Sequence, residues 1–111
     1  MTQNNPGATV VIVAYRPKPG KRDELLQLLR EHVPYLRSEG LATERQAVFA
    51  EASDGSIVEV FEWASGGVEK AHKHPGVGKL WERFFVACDA VPLHNLPESS
   101  TQFAGFTPLD L

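Results

Sequence analysis

The sequence predicts an α+β domain with the element order β-α-β-β-α-β. Two stretches, 21–40 and 77–91, repeat apolar residues on the period of an amphipathic helix. Two others, 43–52 and 56–64, alternate on the period of two that a half-buried strand shows, and an Asp-Gly pair between them is a strong hairpin signal. Helices and antiparallel strands therefore have to share one core.

The first strand and the first helix follow from the residue pattern. Residues 8–15 form a nearly uninterrupted apolar, β-branched run, which is typical of a strand covered on both faces. From Lys21 the apolar residues change to helical spacing, and the helix is predicted to end near Gly40. Pro34 lies inside it and has no backbone N–H, so the helix is predicted to kink or loosen around 30–34.

The later elements complete the order. The second helical stripe covers 77–91 and ends at Pro92, and a short last strand is predicted at 102–107. This order is the split βαβ pattern of a ferredoxin-like fold, a four-stranded antiparallel sheet with both helices on one face. Residues 1–7 are predicted to be a disordered tail and 8–111 a single domain.

The second face of such a sheet needs a cover. The helices reach only one face, yet the first strand is apolar on both sides. Five aromatic residues add more apolar surface than a monomer leaves in water: Phe49, Phe61, Trp63, Phe103 and Phe106. We therefore expect a homodimer, in which a second copy of the chain covers this face.

The composition excludes several classes of function. Eleven basic and fourteen acidic residues give a net charge of -3, and no Lys/Arg run exceeds two residues, which argues against nucleic acid as a partner. No apolar run is long enough for a signal sequence or a membrane span. Cys88 is the only cysteine, so neither an intrachain disulfide nor a cysteine-based zinc site can form. We expect a cytoplasmic protein without a metal or cofactor.

Three segments carry a family resemblance: VVIVAYRPKPGKRDELLQLLREHV, VEVFEWAS and AHKHPGVGKLWERF. Over residues 9–107 the chain resembles the dimeric α+β barrel superfamily, and within it the antibiotic biosynthesis monooxygenase-like (ABM-like) family. The resemblance implies a homodimer whose two sheets face each other, with one pocket per subunit between sheet and helices. Some such proteins oxidise quinols or aromatic polyketides with O₂ and no metal or flavin. Haem-degrading relatives use an Asn in the first strand, which this strand lacks.

Two histidines one residue apart precede the second helix. On a regular helix His72 and His74 would lie about 200° apart, so they could not hold one metal ion. Pro75 is a favoured first helical residue, which places His74 at the exposed helix end. His72 ends the preceding turn, near the gap between sheet and helix, and a neutral imidazole can take or give a proton. His72 is therefore a catalytic candidate; alternatively, both histidines only mark a helix start.

Two glutamates interrupt an otherwise apolar strand. Glu59 and Glu62 occupy opposite faces, so one points toward the helices and the other toward the dimer side. A carboxylate in an apolar layer should have a raised pKa or find a cation such as Arg45 or Arg83. Glu59 is the second catalytic candidate, and an ion pair across the hairpin is the alternative for either glutamate.

The candidate ligand-binding residues are a histidine and three aromatic residues. His32 lies on the apolar stripe of the first helix, as a core or pocket-wall residue would. Trp63, Trp81 and Phe85 are predicted core aromatics that could also form a platform for a flat ligand.

These residues together predict a small homodimeric, cofactor-independent monooxygenase that acts on a flat phenolic or quinol-type molecule. In this hypothesis His72 and a glutamate supply the base that forms the phenolate, and the aromatic residues form the pocket wall. Two alternatives stay open. One is a ligand-binding or sensing dimer with the same pocket and no turnover, and the other is an isomerase or cyclase that moves a proton without O₂.

Overall fold

The computed structural model of the chain describes residues 7–111. Except for Gly7, the predicted tail at 1–7 lies outside this range. In the described range the helices are α1 (Arg22–Ser38), α2 (Gly67–His72) and α3 (Pro75–Ala87), and the strands are β1 (Thr9–Pro17), β2 (Val48–Glu51), β3 (Ile57–Trp63), β4 (Cys88–Val91) and β5 (Thr107–Leu109). Short 3-10 helices at Leu93–Asn95 and Pro97–Ser100 follow β4.

The strands form one antiparallel sheet. Within residues 7–111 it has five strands in the order β4-β1-β3-β2-β5, and α1 and α3 pack against one of its faces. The predicted α+β class is therefore confirmed. The sheet differs from the four-stranded prediction because β4 follows α3 directly, and because β5 begins where the predicted strand at 102–107 ends.

Helical periodicity concealed β4 in the sequence. Phe84, Cys88 and Val91 continue the apolar stripe of α3 at helical spacing, so the pattern predicted one long helix. In the structure α3 ends at Ala87, and Cys88 adopts extended backbone angles with φ −157° and ψ 173°. Cys88 stays buried, and β4 satisfies its backbone groups by pairing with the end of β1.

The first helix supplies much of the core. Four of its buried leucines are at most 1% exposed: Leu25, Leu28, Leu29 and Leu36. The predicted loosening around Pro34 does not interrupt α1, which runs unbroken from Arg22 to Ser38. Pro34 and Arg30 are both exposed, so water can bond the Arg30 carbonyl that the proline leaves without its helical donor.

The predicted hairpin is present, but its first strand is short. Of residues 43–52, only the β2 segment pairs as a regular ladder with β3. The residues before β2 bind the end of β3 through one backbone bond, from the Thr43 N–H to the Glu62 carbonyl at 3.0 Å, and through side chains. The Thr43 hydroxyl donates to Glu62 Oε1 at 2.8 Å, and Arg45 Nε lies 3.1 Å from Glu62 Oε2.

The chain itself covers part of the second sheet face. Residues 92–106, here called the strap, run from β4 at one edge of the sheet to β5 at the other. Leu96 of the strap is 4% exposed and packs against Ala14 and Val58 on the face away from the helices. Of that face in the described chain, Val10, Ile12 and Val48 remain 53%, 51% and 57% exposed.

We expect Cys88 to resist thiol reagents while the protein is folded. Its side chain is 3% exposed, its Sγ donates to the Phe84 carbonyl at 3.2 Å, and burial raises the pKa of its thiol to about 11. Near neutral pH, a colorimetric disulfide reagent should therefore react only after denaturant is added. The raised pKa also predicts stability that is complete below the thiol's ordinary pKa and lost as the pH rises toward 11. Full labelling without denaturant, at the rate of the denatured protein, would contradict the prediction that folding protects Cys88 from the reagent.

Candidate active site

Glu59 lies in the interior of the protein, in the middle of β3. The alternation of β3 and its register with β1 place Glu59 on the helix-facing side, together with Ile57 and Phe61. Its side chain is 0% exposed. Of the two glutamates, Glu59 therefore faces the helices, and Glu62 faces the other way.

Two side chains hold the Glu59 carboxylate. Tyr15, near the end of β1, donates its hydroxyl to Oε1 at 2.7 Å. His32, on α1, places Nδ1 2.8 Å from Oε2 and 3.1 Å from Oε1. When Glu59 is ionised its oxygens only accept hydrogen bonds, so Nδ1 is then the donor, and in the neutral form of that tautomer Nε2 carries a lone pair. We call these three residues the buried triad.

The Tyr15 hydroxyl acts as a fixed donor in the buried triad. Burial raises the pKa of Tyr15 well above its ordinary value, and the charge of Glu59 raises it further. The phenol therefore keeps its proton over the physiological range and continues to donate to the carboxylate. Its role is to orient and stabilise Glu59 rather than to exchange a proton.

The outer nitrogen of His32 has no obvious structural use. Nε2 is buried and has no hydrogen-bond partner among residues 7–111. The rings of Phe61 and Phe84 meet the imidazole edge-on, with centroids 5.4 and 5.0 Å away. Buried polar atoms are normally bonded, so this nitrogen calls for an explanation. Chemically, a carboxylate on one ring nitrogen orients the imidazole and stabilises its cation when the other nitrogen accepts a proton.

The predicted catalytic histidine lies elsewhere. His72 is exposed at the end of α2, and its ring packs edge-on against Trp81 with centroids 5.1 Å apart. Across the described chain, no hydrogen bond or ring contact joins His72 to Glu59. The structure therefore brings Glu59 together with His32, which the sequence placed in the pocket wall, and not with His72.

The three predicted platform aromatics differ in their surroundings. Trp63 is 8% exposed and packs against Phe61 with ring centroids 5.1 Å apart, next to the buried triad. Trp81 is partly buried against the core cluster that contains Phe61 and Trp63. Phe85 is 65% exposed on the outer side of α3 and does not approach the triad. Only Trp63 belongs to the layer that contains Glu59.

The remaining polar candidates have structural partners. Glu62 pairs with Arg45, which is the ion-pair alternative considered for these glutamates. His74 is the N-cap of α3, directly before Pro75: its Nδ1 accepts from the Val77 N–H at 3.2 Å, and its Nε2 lies 2.7 Å from Glu39 Oε1. The His74 ring therefore makes more contacts than the sequence predicted for an exposed residue at a helix end.

Sequence reasoning missed Tyr15, Phe61 and Phe84 as parts of the site. Phe84 lies on the predicted helical stripe and Phe61 shares the predicted face of Glu59, so both signals were present in the sequence. Tyr15 gave no such signal, because its contact with Glu59 depends on how β1 and β3 align. Strand register between distant segments is not readable from either segment alone.

Other kinds of site find little support in the described chain. Within residues 7–111 no group of three or more His, Cys, Asp or Glu residues is arranged to hold a metal ion. None of the described helices is long and apolar enough to cross a membrane. Comparison of the chain with protein-family models, with curated proteins and with solved structures finds no match.

Proposed function

We propose that the chain is an ABM-like, cofactor-independent monooxygenase that acts on a flat phenolic or quinol-type molecule, with His32 as the base and Glu59 as its orienting carboxylate. One observation carries the proposal: His32 Nδ1 binds Glu59 at 2.8 Å, while Nε2 has no partner in the described chain. A base oriented in this way in an apolar layer suits the removal of a phenolic proton. The role that the sequence suggested for His72 passes to His32.

The proposed reaction needs no group beyond the protein, the phenol and O₂. His32 Nε2 accepts the phenolic proton, and the resulting electron-rich phenolate gives an electron to O₂. The radicals combine to form a C–O bond at the ring carbon para to the oxygen, and the resulting peroxide loses water to leave a quinone. One oxygen atom of O₂ enters the ring and the other leaves as water, while the ring C–H is oxidised to C=O. The His32 cation returns its proton to the departing oxygen.

Access to the site involves α3. The triad is closed in the core, and Phe84 of α3 lies against the imidazole with ring centroids 5.0 Å apart. A phenol that reaches Nε2 therefore has to displace the Phe84 ring or the helix turn that carries it. Such side-chain and helix movements accompany ligand binding in many proteins.

The experiment uses 1-naphthol and labelled oxygen. Wild-type protein should consume 1-naphthol and O₂ in equal amounts and incorporate one ¹⁸O atom from ¹⁸O₂ into the naphthoquinone. His32→Gln should lower the rate by about 10²–10⁴-fold, the range for loss of a general base. His72→Gln, at the exposed histidine, should leave it within about twofold. If His72→Gln abolishes turnover and His32→Gln does not, the assignment of the base is wrong.

Oxygen dependence separates the reaction classes. The buried triad moves protons and carries no redox centre of its own, so the same site also suits an isomerase or cyclase. Turnover of a phenolic or keto substrate in the absence of O₂ would assign the protein to that class. A melting shift with 1-naphthol but no consumption would make it a binding protein.

We further propose a cytoplasmic homodimer with a ferredoxin-like core. The strand order β4-β1-β3-β2 supports this core, with β5 as an added edge strand.

The dimer is supported by the apolar side chains that the strap leaves exposed on the second face: Val10, Ile12 and Val48. Sedimentation at micromolar protein should give twice the chain mass of 12.2 kDa. Replacing Ile12 by Lys should shift the measured mass toward that of the monomer. A monomeric wild type would refute the dimer.

A further inference from the structure

A large surface groove lies between α1 and α3. It has a volume of about 450 Å³, within the range of small-molecule sites, and its lining is formed by Glu31, Tyr35, Gly76, Lys79, Leu80 and Arg83. The groove is separate from His72 and from the second sheet face. It combines an aromatic wall with charged groups at its rim.

The wall of the groove is apolar, with one free hydroxyl. Tyr35 is partly buried and packs against the core clusters that contain Phe84 and Phe61, and Leu80 is 7% exposed. The Tyr35 hydroxyl makes no hydrogen bond to any of residues 7–111. Gly76 makes room for it, because a Cβ at position 76 would overlap the Tyr35 Oη. A flat ring can therefore lie along Leu80 and Tyr35 and exchange a hydrogen bond with this hydroxyl.

The rim of the groove has one positive charge in excess. Arg83 is bound by Glu31 through two parallel hydrogen bonds, Nη1 to Oε1 at 3.0 Å and Nη2 to Oε2 at 3.1 Å. This pairing lowers the pKa of the Glu31 carboxyl, so Glu31 stays ionised and balances Arg83. Lys79 is exposed and has no ion pair or hydrogen bond within the described part of the chain. Its ammonium group is therefore the charge available to a ligand.

We propose that this groove binds an aromatic carboxylate that carries a phenolic hydroxyl. The ring would lie on Leu80 and Tyr35, the carboxylate would pair with Lys79, and a ring hydroxyl would bond the Tyr35 hydroxyl. Leu80 also belongs to the core cluster of Phe84, whose ring contacts His32, so the groove adjoins the residues that an incoming phenol has to displace. That the bound molecule is a substrate rests on the proposed function; that it binds here does not.

The test measures equilibrium binding of 3-hydroxy-2-naphthoate by its fluorescence and by titration calorimetry. The uncharged comparison ligand is 2-naphthol. Lys79→Ala should weaken naphthoate binding about five- to tenfold, as loss of a charged partner does, and leave 2-naphthol binding unchanged. Lys73→Ala removes the same charge from an exposed site outside the groove and should have no effect. Added salt should weaken naphthoate binding to the wild type and not to Lys79→Ala.

A second pair of variants tests the shape of the groove without changing its charge. Gly76→Ala should displace the Tyr35 hydroxyl and weaken the binding of both ligands by at least about fivefold. Gly78→Ala, on the same helix with no atom within 4 Å of the added Cβ, should leave both affinities unchanged. Naphthoate binding that neither Lys79→Ala nor Gly76→Ala alters, or no binding by the wild type, would overturn the proposal.

His32→Gln separates this proposal from the proposed function. It should retain naphthoate binding in the groove whether or not His32 is the base. Binding that survives in His32→Gln and is lost in Lys79→Ala supports the groove even if no turnover is found. Turnover that depends on His32 but is indifferent to Lys79 and Gly76 would support the base and show that the molecule bound in the groove is not the substrate.

Discussion

Replacement of Glu59 by alanine is expected to lower the free energy of unfolding by about 3–5 kcal/mol. The substitution leaves the Tyr15 hydroxyl and His32 Nδ1 without their acceptor in the core, where Glu59 is 0% exposed. Each unsatisfied buried donor costs about 1–3 kcal/mol, and the vacated volume adds to this. Urea unfolding followed by tryptophan fluorescence measures the change.

The matched control is Glu51→Ala. Glu51 pairs with Arg22 at 2.9 Å, but both side chains are partly exposed to solvent. Its loss should cost no more than about 1 kcal/mol, as is usual for surface ion pairs. A combined variant, Tyr15→Phe with His32→Leu and Glu59→Leu, should recover most of the stability lost in Glu59→Ala, because it removes donors and acceptor together. Equal losses in the two alanine variants would show that the buried triad stabilises the fold no more than a surface ion pair does.

Replacement of Gly67 by alanine is expected to cost about 2–3 kcal/mol. Gly67 begins α2, and a Cβ there would overlap the carbonyl of Leu41 and lie 3.3 Å from Trp63 Cε3. The carbonyl cannot easily move, because it accepts the hydrogen bond from the Ala64 N–H at 2.9 Å. The methyl group should therefore push α2 away from β3. Denaturant midpoints of the variant and the wild type report the loss.

A second glycine gives the opposite expectation. Gly78 lies within α3, and a Cβ there meets no atom within 4 Å. Gly78→Ala should therefore raise the stability by about 0.5–1 kcal/mol, because alanine loses less backbone entropy in a helix. If both glycine variants shifted the denaturant midpoint in the same direction, the close approach of α2 to Leu41 would not explain the effect of Gly67→Ala.

The elements with strong periodicity were predictable from the sequence. The stripe of α1, the apolar run of β1 and the alternation of β3 all correspond to structure within a few residues. The short edge strands were not predictable. β4 continues the helical stripe of α3, and β5 is only three residues long, Thr107–Leu109, so neither produces a pattern of its own. Their pairing is decided by neighbouring strands.

The site was predictable as single residues but not as a constellation. Glu59 stands out in the sequence because a charge interrupts an apolar strand, and His32 because it lies on an apolar helical stripe. Their contact depends on which strand face meets which helix face, and that follows from tertiary packing. His72 drew attention through its neighbour and a proline, which are signals of a helix start; the structure has that helix start at Pro75.

The strap has a consequence for the order of folding. β5 pairs with β2, so this ladder joins two segments separated by the whole of β3, α2, α3 and β4. Closing so long a loop is entropically unfavourable until the intervening elements have formed, since only their contacts shorten it. The β1–β3 pair and its helices can form first, leaving Ala14 and Val58 bare until Leu96 arrives. The newly made chain would then pass through an intermediate that exposes its whole second sheet face, and closure of the strap is the step that covers part of this aggregation-prone surface.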